Sequence, residues 1–321
     1  MKKNSNPKKA LVTGASGKIG INLVRKLILE GVQVYALSSN NSFIQMPGVT
    51  FLSHTWGKPI TFPLPEVDVI FHLASQTSAY AARQNVDQDI RSNLLTTVSI
   101  LNAISHLDTE PLFIFAGSMT EYGMSFLPKI DETEKLSPRT FYETSKICSQ
   151  LYIEQYAREN IISKCITLRL SNVYGGMSKS RELDRGFIDK SIDKAISGAP
   201  LLLYGNGKYV RDYIHISDVV EAFHSTFKKS ENLPFDAYNI GTGVGTSILS
   251  CLQLISSFAT SITGKETSII LKDFPKDSYD IEKRDSVTDS SSFSKATGWK
   301  PEVLLENGIK NTIEIAWSRL K

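Results

Sequence analysis

Tyr142-Glu-Thr-Ser-Lys146 sets a phenol and an ammonium four residues apart, which on a helix puts them on one face, about one turn from each other. A free tyrosine titrates at about 10, too high for proton transfer at neutral pH, but a nearby cation favours the phenolate. Tyr142 is therefore a candidate acid/base and Lys146 its cation. Alone, a Tyr-x-x-x-Lys pair is common on exposed helix faces. Ser118 gives the pair weight, because it ends an apolar run in Phe115-Ala-Gly-Ser118-Met-Thr-Glu-Tyr122-Gly123. That is the carboxyl edge of a strand, where open α/β sheets bind ligands, and its hydroxyl can bond the same oxygen that Tyr142 protonates or deprotonates.

A second chemical feature stands near the start of the chain, in Thr13-Gly14-Ala-Ser-Gly17-Lys-Ile-Gly20. It separates a strand pattern from an amphipathic helix pattern, the context that makes a glycine turn a dinucleotide-binding candidate. Gly14 permits the tight turn, Gly17 lets backbone N–H groups approach a diphosphate, and Gly20 lets helix and strand pack closely. Ser16, Lys18 and Ile19 complete the predicted phosphate-binding turn. The next strand ends Tyr35-Ala-Leu-Ser38-Ser39-Asn40. A carboxylate there would repel a 2′-phosphate, whereas hydroxyls and an amide can donate to one, so NADP is favoured over NAD. No arginine follows to clamp the phosphate, which leaves open a ribose contact elsewhere. A bound oxidised nicotinamide would add positive charge beside Tyr142.

The elements that must hold these groups follow from periodicity. Lys9–Thr13, Val32–Leu37, Val67–Leu73, Leu112–Ala116 and Cys165–Leu170 are short apolar runs that read as strands buried on both faces. Ile19–Glu30, Asp87–Ser105 and Tyr142–Glu159 repeat apolar residues at helical spacing. The fold class is thus α/β, a Rossmann-type doubly wound parallel sheet with a smaller, interleaved C-terminal substrate-binding lobe. The expected division is 1–175 for the NAD(P)-binding domain, with 212–240 returning to it, and 176–211 plus 241–321 for the lobe. Ser53–Pro65, with three prolines, reads as a loop. Ser290-Ser-Ser reads as a helix N-cap, and a final helix is expected from about Val303 to Leu320.

Composition narrows the partners. The chain has 321 residues, 41% hydrophobic and 21% charged, a globular profile. Its 36 Lys and Arg against 33 Asp and Glu give only +3, without a basic, aromatic-interleaved run, so neither nucleic acid nor membrane is expected as a partner. Cys148, Cys165 and Cys251 form neither a disulfide framework nor a metal-binding pattern, which suits a reducing cytoplasm and predicts no metal. The N-terminal Met-Lys-Lys-Asn-Ser-Asn-Pro-Lys-Lys lacks a following apolar stretch and reads as a solvated tail.

Together the glycine turn and the Ser118, Tyr142 and Lys146 set closely resemble the extended short-chain dehydrogenase/reductase family, in its nucleotide-sugar epimerase, dehydratase and reductase branch. The resemblance runs through nearly the whole chain. His72-Leu73-Ala74 resembles the motif that lies against the cofactor, which implies cofactor contacts for Leu73 and Ala74. Asn93 resembles an asparagine of the following helix, with Thr96-Thr97 where Gly-Thr is usual. Arg169-Leu-Ser-Asn172-Val-Tyr-Gly175 is similar to the stretch whose asparagine contacts the sugar diphosphate. Tyr204-Gly-Asn-Gly207 with Arg211-Asp-Tyr-Ile-His215-Ile-Ser-Asp218 is similar to the substrate turn whose arginine grips a phosphate. Gly298-Trp299-Lys-Pro301 resembles the C-terminal signature.

Departures from the family pattern set the expected reaction. Dehydratases of the branch carry Asp-Glu after the residue matching Ser118, where this chain has Met119 and Thr120, so elimination is disfavoured. Thr120 is left as a substrate contact beside Asn172 and Arg211. The resemblance then implies a reductase of a 4-keto-6-deoxy nucleoside-diphosphate sugar, with Tyr142 as proton donor. The alternative is a nucleotide-sugar 4-epimerase with resident NAD. A non-catalytic NADP-binding regulatory protein is the reading from another class, opposed by the presence of Ser118, Tyr142 and Lys146 together. Ser53-His54 replaces the usual Gly-Asp near adenine, and Arg284-Asp285 stands where an arginine precedes Gly-Asp. His72, His215 and Trp299 read as structural, and Tyr122 as either substrate-facing or packed. A homodimer through the helix carrying Tyr142 is a further implication of the family.

Overall fold

Continuous apolar runs build the centre of this molecule because a parallel strand covered by helices on both faces leaves no side for water. The computed structural model describes residues 8–39, 46–176, 186–234 and 236–320, so the N-terminal tail through Pro7 and Asn40 lie outside the described residues. Its strands are β1 (Lys9–Thr13), β2 (Gln33–Ser38), β3 (Val49–Ser53), β4 (Val69–His72), β5 (Leu112–Ser118) and β6 (Lys164–Leu170). Then come β7 (Asn172–Tyr174), β8 (Leu201–Tyr204), β9 (Val210–His215), β10 (Ala237–Ile240), β11 (Gly245–Ser247) and β12 (Ile269–Lys272). Among the described residues the main sheet has seven strands in the order β10-β6-β5-β4-β1-β2-β3, all parallel. The winding reverses between β1 and β4, and Thr13 and His72 pair where they end.

Alternate residues of each strand enter different cores. Val12 and Phe71 join α1 (Lys18–Leu29) on one face, whereas Leu11, Ile70 and Phe113 meet the opposite helix layer. That second layer holds α2 (Ala79–Gln84), α3 (Val86–Ile90), α4 (Thr96–Ile104) and α5 (Phe141–Arg158). The helix expected over Asp87–Ser105 is broken by a π turn at Arg91–Leu95, which carries the buried Asn93. The stretch 54–65 contains no helix. Among the described residues no helix is long and apolar enough to cross a membrane.

A second core joins α6 (Phe187–Ser197), α8 (Ile248–Thr263) and α10 (Leu305–Ser318) around Leu201, Leu203 and Tyr213. From this lobe the chain returns to the main sheet: α7 (Ile216–Lys228) packs on α1, and β10 pairs with β6. It returns a second time. α9 (Ser291–Thr297) packs on β10 and places Phe293 and Trp299 in the main core, so residues 291–299 do not lie in the lobe to which 241–321 was assigned. The tie is Asp218, whose carbonyl accepts from the Trp299 indole at 3.0 Å and whose carboxylate accepts from Glu302 and Val303 N–H. Ser290 stands at the N-cap position of α9 but does not cap it. Its hydroxyl instead bonds both the N–H and the carbonyl of Gly241 at the end of β10.

Gly20 sets how closely α1 approaches β1, since a Cβ there would lie 2.2 Å from the Gly14 carbonyl oxygen and 2.7 Å from Ala15 Cα. Gly20→Ala is expected to destabilise the fold by about 1–3 kcal/mol. Urea unfolding should show a lowered midpoint with an unchanged slope.

Candidate active site

The turn after β1 begins with Gly14 at φ +65°, packed so tightly under the β4 turn that a Cβ would meet Ala74 N at 2.7 Å. Thr13 anchors that neighbour, its hydroxyl accepting from Leu73 and Ala74 N–H at 3.2 Å. Leu73 faces the cleft, whereas Ala74 is buried beneath Gly14. At the start of α1, Gly17 offers no capping side chain and the first turn holds no acidic residue. The N–H groups of Lys18, Ile19 and Gly20 therefore have no side-chain acceptor, and these residues line the cleft, an arrangement that fits a diphosphate. The Lys18 ammonium pairs with Asp189 of α6.

At the end of β2 the structure corrects the basis on which NADP was favoured. Ser38 is buried, and its hydroxyl is bonded to that of Ser16 at 2.6 Å, so it is not directed at a 2′-phosphate. Among the described residues at that strand end Ser39 alone is exposed, and the sequence holds no Lys or Arg between Lys26 and Lys58.

Tyr142, Lys146 and Ser118 come together on the rim between β5 and α5, in a cleft of about 610 Å³ that also includes Gly17, Thr120 and Asn172. The carboxylate of Glu143 fixes the start of α5 by accepting from Arg139 N–H at 2.7 Å and Thr140 N–H at 3.0 Å. Ser118 shares a 2.9 Å hydrogen bond with the Thr120 hydroxyl and lines the cleft beside the Tyr142 phenol. Burial pushes the phenol above its ordinary range, the Glu121 carboxylate pushes it further, and only Ser118 pulls strongly the other way. Lys146 is buried with its ammonium 4.0 Å from the centre of the Phe115 ring. Burial pulls it down to about 8 against the carboxylates of Glu121 and Asp89.

Asn93 braces the site from behind. Its oxygen accepts from Ser75 Oγ and Gln76 N, and its amide donates to Asp89 at 2.9 Å and to Ser145 Oγ of α5 at 3.2 Å. His72 lies between the hydroxyls of Thr13 at 2.7 Å and Thr97 at 2.9 Å. His215 caps α7 through Ser217, and Tyr122 is packed away from the cleft with its hydroxyl on Asn239.

The expected substrate contacts separate. Asn172 is exposed on the lobe side of the cleft, steadied by the Asp212 carbonyl at 3.0 Å. Arg211 does not line the cleft. Its guanidinium donates to the carbonyls of Val210, Glu282 and Arg284. Nor does it pair with Asp212, which holds the 242–243 turn. Arg284 is buried beside it and pulled down to about 10 by that burial. Sequence reasoning missed the buried pair Glu121–Arg169, joined at 3.0 Å under Ser118. The cue was an arginine inside the apolar run Cys165–Leu170. Among the described residues no cluster of His, Cys, Asp and Glu could hold a metal ion.

Comparisons with known proteins give the family and the fold. A family model described as the NAD dependent epimerase/dehydratase family matches residues 10–241. The solved structure of a Thermotoga maritima UDP-glucose 4-epimerase with UDP-glucose superposes with a TM-score of 0.83 at 27% identity, covering 98% of this chain and 100% of that one. A dTDP-D-glucose 4,6-dehydratase of Mus musculus is 26% identical over 97% of this chain and 89% of its own length. A dTDP-4-dehydro-6-deoxyglucose reductase of Escherichia coli is 24% identical over 95% of this chain and 96% of its own.

Burial, followed by the Lys146 charge, pushes His72 down to about 3 from an ordinary 6.5. The folded chain thus refuses a proton that the unfolded chain accepts. Its contribution to stability is complete above pH 6.5 or so and is lost as pH falls toward 3, at up to about 1.4 kcal/mol per pH unit. His72→Gln is expected to flatten the fall of stability in acid by one proton, read from urea midpoints measured across that range.

Proposed function

From the chain's membership of the NAD-dependent epimerase/dehydratase family, the enzyme family to which it belongs, we propose that it inverts C4 of a nucleoside-diphosphate sugar as a 4-epimerase holding NAD. The observation that carries this is Ser118, Tyr142 and Lys146 gathered at the cleft with Met119 and Thr120 in the next two positions. Elimination needs one group to remove a proton from C5 and another to protonate the departing hydroxyl. The Met119 thioether is buried and does neither, and the Thr120 hydroxyl is bonded to Ser118. Similarity to the mouse dehydratase is accordingly assigned to the fold and the redox machinery.

When bound, the nicotinamide supplies the hydride acceptor and donor. The α1 amides would hold the diphosphate of the cofactor, and Lys146 would hold the nicotinamide ribose. Asn172 steadies the sugar diphosphate, whereas Arg211 is left outside this contact set. Ser118 orients the C4 oxygen while Tyr142 Oη takes the hydroxyl proton as C4 gives up its hydride. Proton and hydride return once the 4-keto sugar presents its other face. The packing of Ser38 moves the balance from NADP toward NAD, and with it from the reductase toward the epimerase. The reductase keeps one observation in its favour, the exposed Ser39 hydroxyl at a strand end without a carboxylate. Leu151 and Tyr152, 55% and 50% exposed on α5, support a homodimer through that helix, and three free cysteines suit a reducing cytoplasm.

The purified protein, denatured, is expected to release NAD, and the native protein to interconvert UDP-glucose and UDP-galactose without added cofactor. Protein that arrives empty and oxidises NADPH only with a 4-keto sugar nucleotide would establish the reductase instead. Tyr142→Phe should lower kcat by about 10²–10⁴-fold with cofactor binding nearly unchanged.

A further inference from the structure

Glu121 is a carboxylate with its side chain only 1% exposed, directly beneath the serine of the reacting set. One oxygen accepts from Ser118 N–H at 2.7 Å, and the other from Arg169 Nε at 3.0 Å. Arg169 is fixed in turn, donating to the Tyr122 hydroxyl at 3.2 Å and to Gln150 Oε1 of α5 at 3.1 Å. The Tyr122 hydroxyl donates to Asn239 of β10 at 2.8 Å. Gly117 makes room for this pair, since a Cβ there would lie 3.2 Å from the carboxylate and 2.8 Å from the Thr167 methyl. A buried ion pair is weak evidence for stability, so its place under the site calls for another account.

The charges around Tyr142 come from five segments of the chain. Glu121 follows β5, and Arg169 of β6 holds it. Lys146 and Glu143 lie on α5, with Arg284 facing Glu143. Asp89 of α3 accepts from Ser145, Asn93 and Gln76. Of these, Glu121 bears most strongly on the phenol.

We propose that Glu121 is a positioning residue that fixes Ser118 and keeps Tyr142 protonated until an oxidised nicotinamide ring lies beside it, an inference that rests on the function proposed above. With that ring bound the Tyr142 phenol would give up its proton more readily, and with the ring reduced and uncharged it would stand again in its donating form. Proton transfer then follows the state of the ring rather than that of the solution.

The test is calorimetric titration of nucleotide-free protein with NAD⁺, in buffers of different ionisation enthalpy across a pH series, counting protons released. Release that is absent from Tyr142→Phe identifies the phenol. In Glu121→Gln the midpoint of release should move to lower pH, equivalent to an about tenfold weaker hold on the proton, the order expected of a unit charge several Å away inside a protein. Should that variant fold poorly, Glu121→Gln with Arg169→Met leaves an acceptor for Ser118, and because a cation goes with the anion a smaller movement in the same direction is expected. An unmoved midpoint overturns the proposal whatever happens to kcat. Release no greater in the wild type than in Tyr142→Phe overturns the role of Tyr142 as well, which separates the two failures.

Discussion

A parallel sheet that reverses its winding between β1 and β4 leaves a crevice at that point which no connecting helix can cover. The candidate site described above stands on the rim of that opening. The glycine turn leaves from β1, the Leu73 turn from β4 and Ser118 from β5, and the strand register holds all three at one edge. Helix α5 then needs only to begin at the right height to bring Tyr142 and Lys146 to the same rim. The helix and strand of the glycine turn can approach only because Gly14 and Gly20 carry no side chains.

The electrostatics of the rim follow from its dryness. Lys146, Glu121, Asp89 and Arg169 are all nearly removed from water, two of each sign, and each is met by an opposite charge, an aromatic face or hydrogen bonds. In such surroundings a single charge acts over longer distances than it would at the surface. This is why the phenol answers to Glu121, with which it shares no hydrogen bond.

Features written as local periodicity were legible in the sequence. The alternation within strands, the spacing of Tyr142 and Lys146, and the glycines of the first turn each constrain the chain over a few residues, and the elements formed where those patterns lay. Features decided by distant partners were not. Ser38 meets Ser16 across two elements, Ser290 bonds the end of β10 instead of its own helix, and Arg211 turns its guanidinium to carbonyls about seventy residues away. The π turn at Asn93 arises where one amide serves the β4 turn and α5 at once, a demand that helical spacing does not encode. Glu121 and Arg169 belong to the same class, since one lies in the turn after β5 and the other on β6, 48 residues apart.

The crevice is strapped on two flanks. Asp189 of the lobe holds both Lys18 of the glycine turn and the Gly175 N–H, while Arg83 of α2 lies against the rings of Tyr80 and Tyr279 and pairs with Asp277. The first strap is shielded, with Asp189 10% exposed, and the second is open, with Asp277 at 76%. Dissolved electrolyte screens an open pair far more than a sheltered one, so rising ionic strength would weaken the Arg83–Asp277 tie well before the Lys18–Asp189 tie.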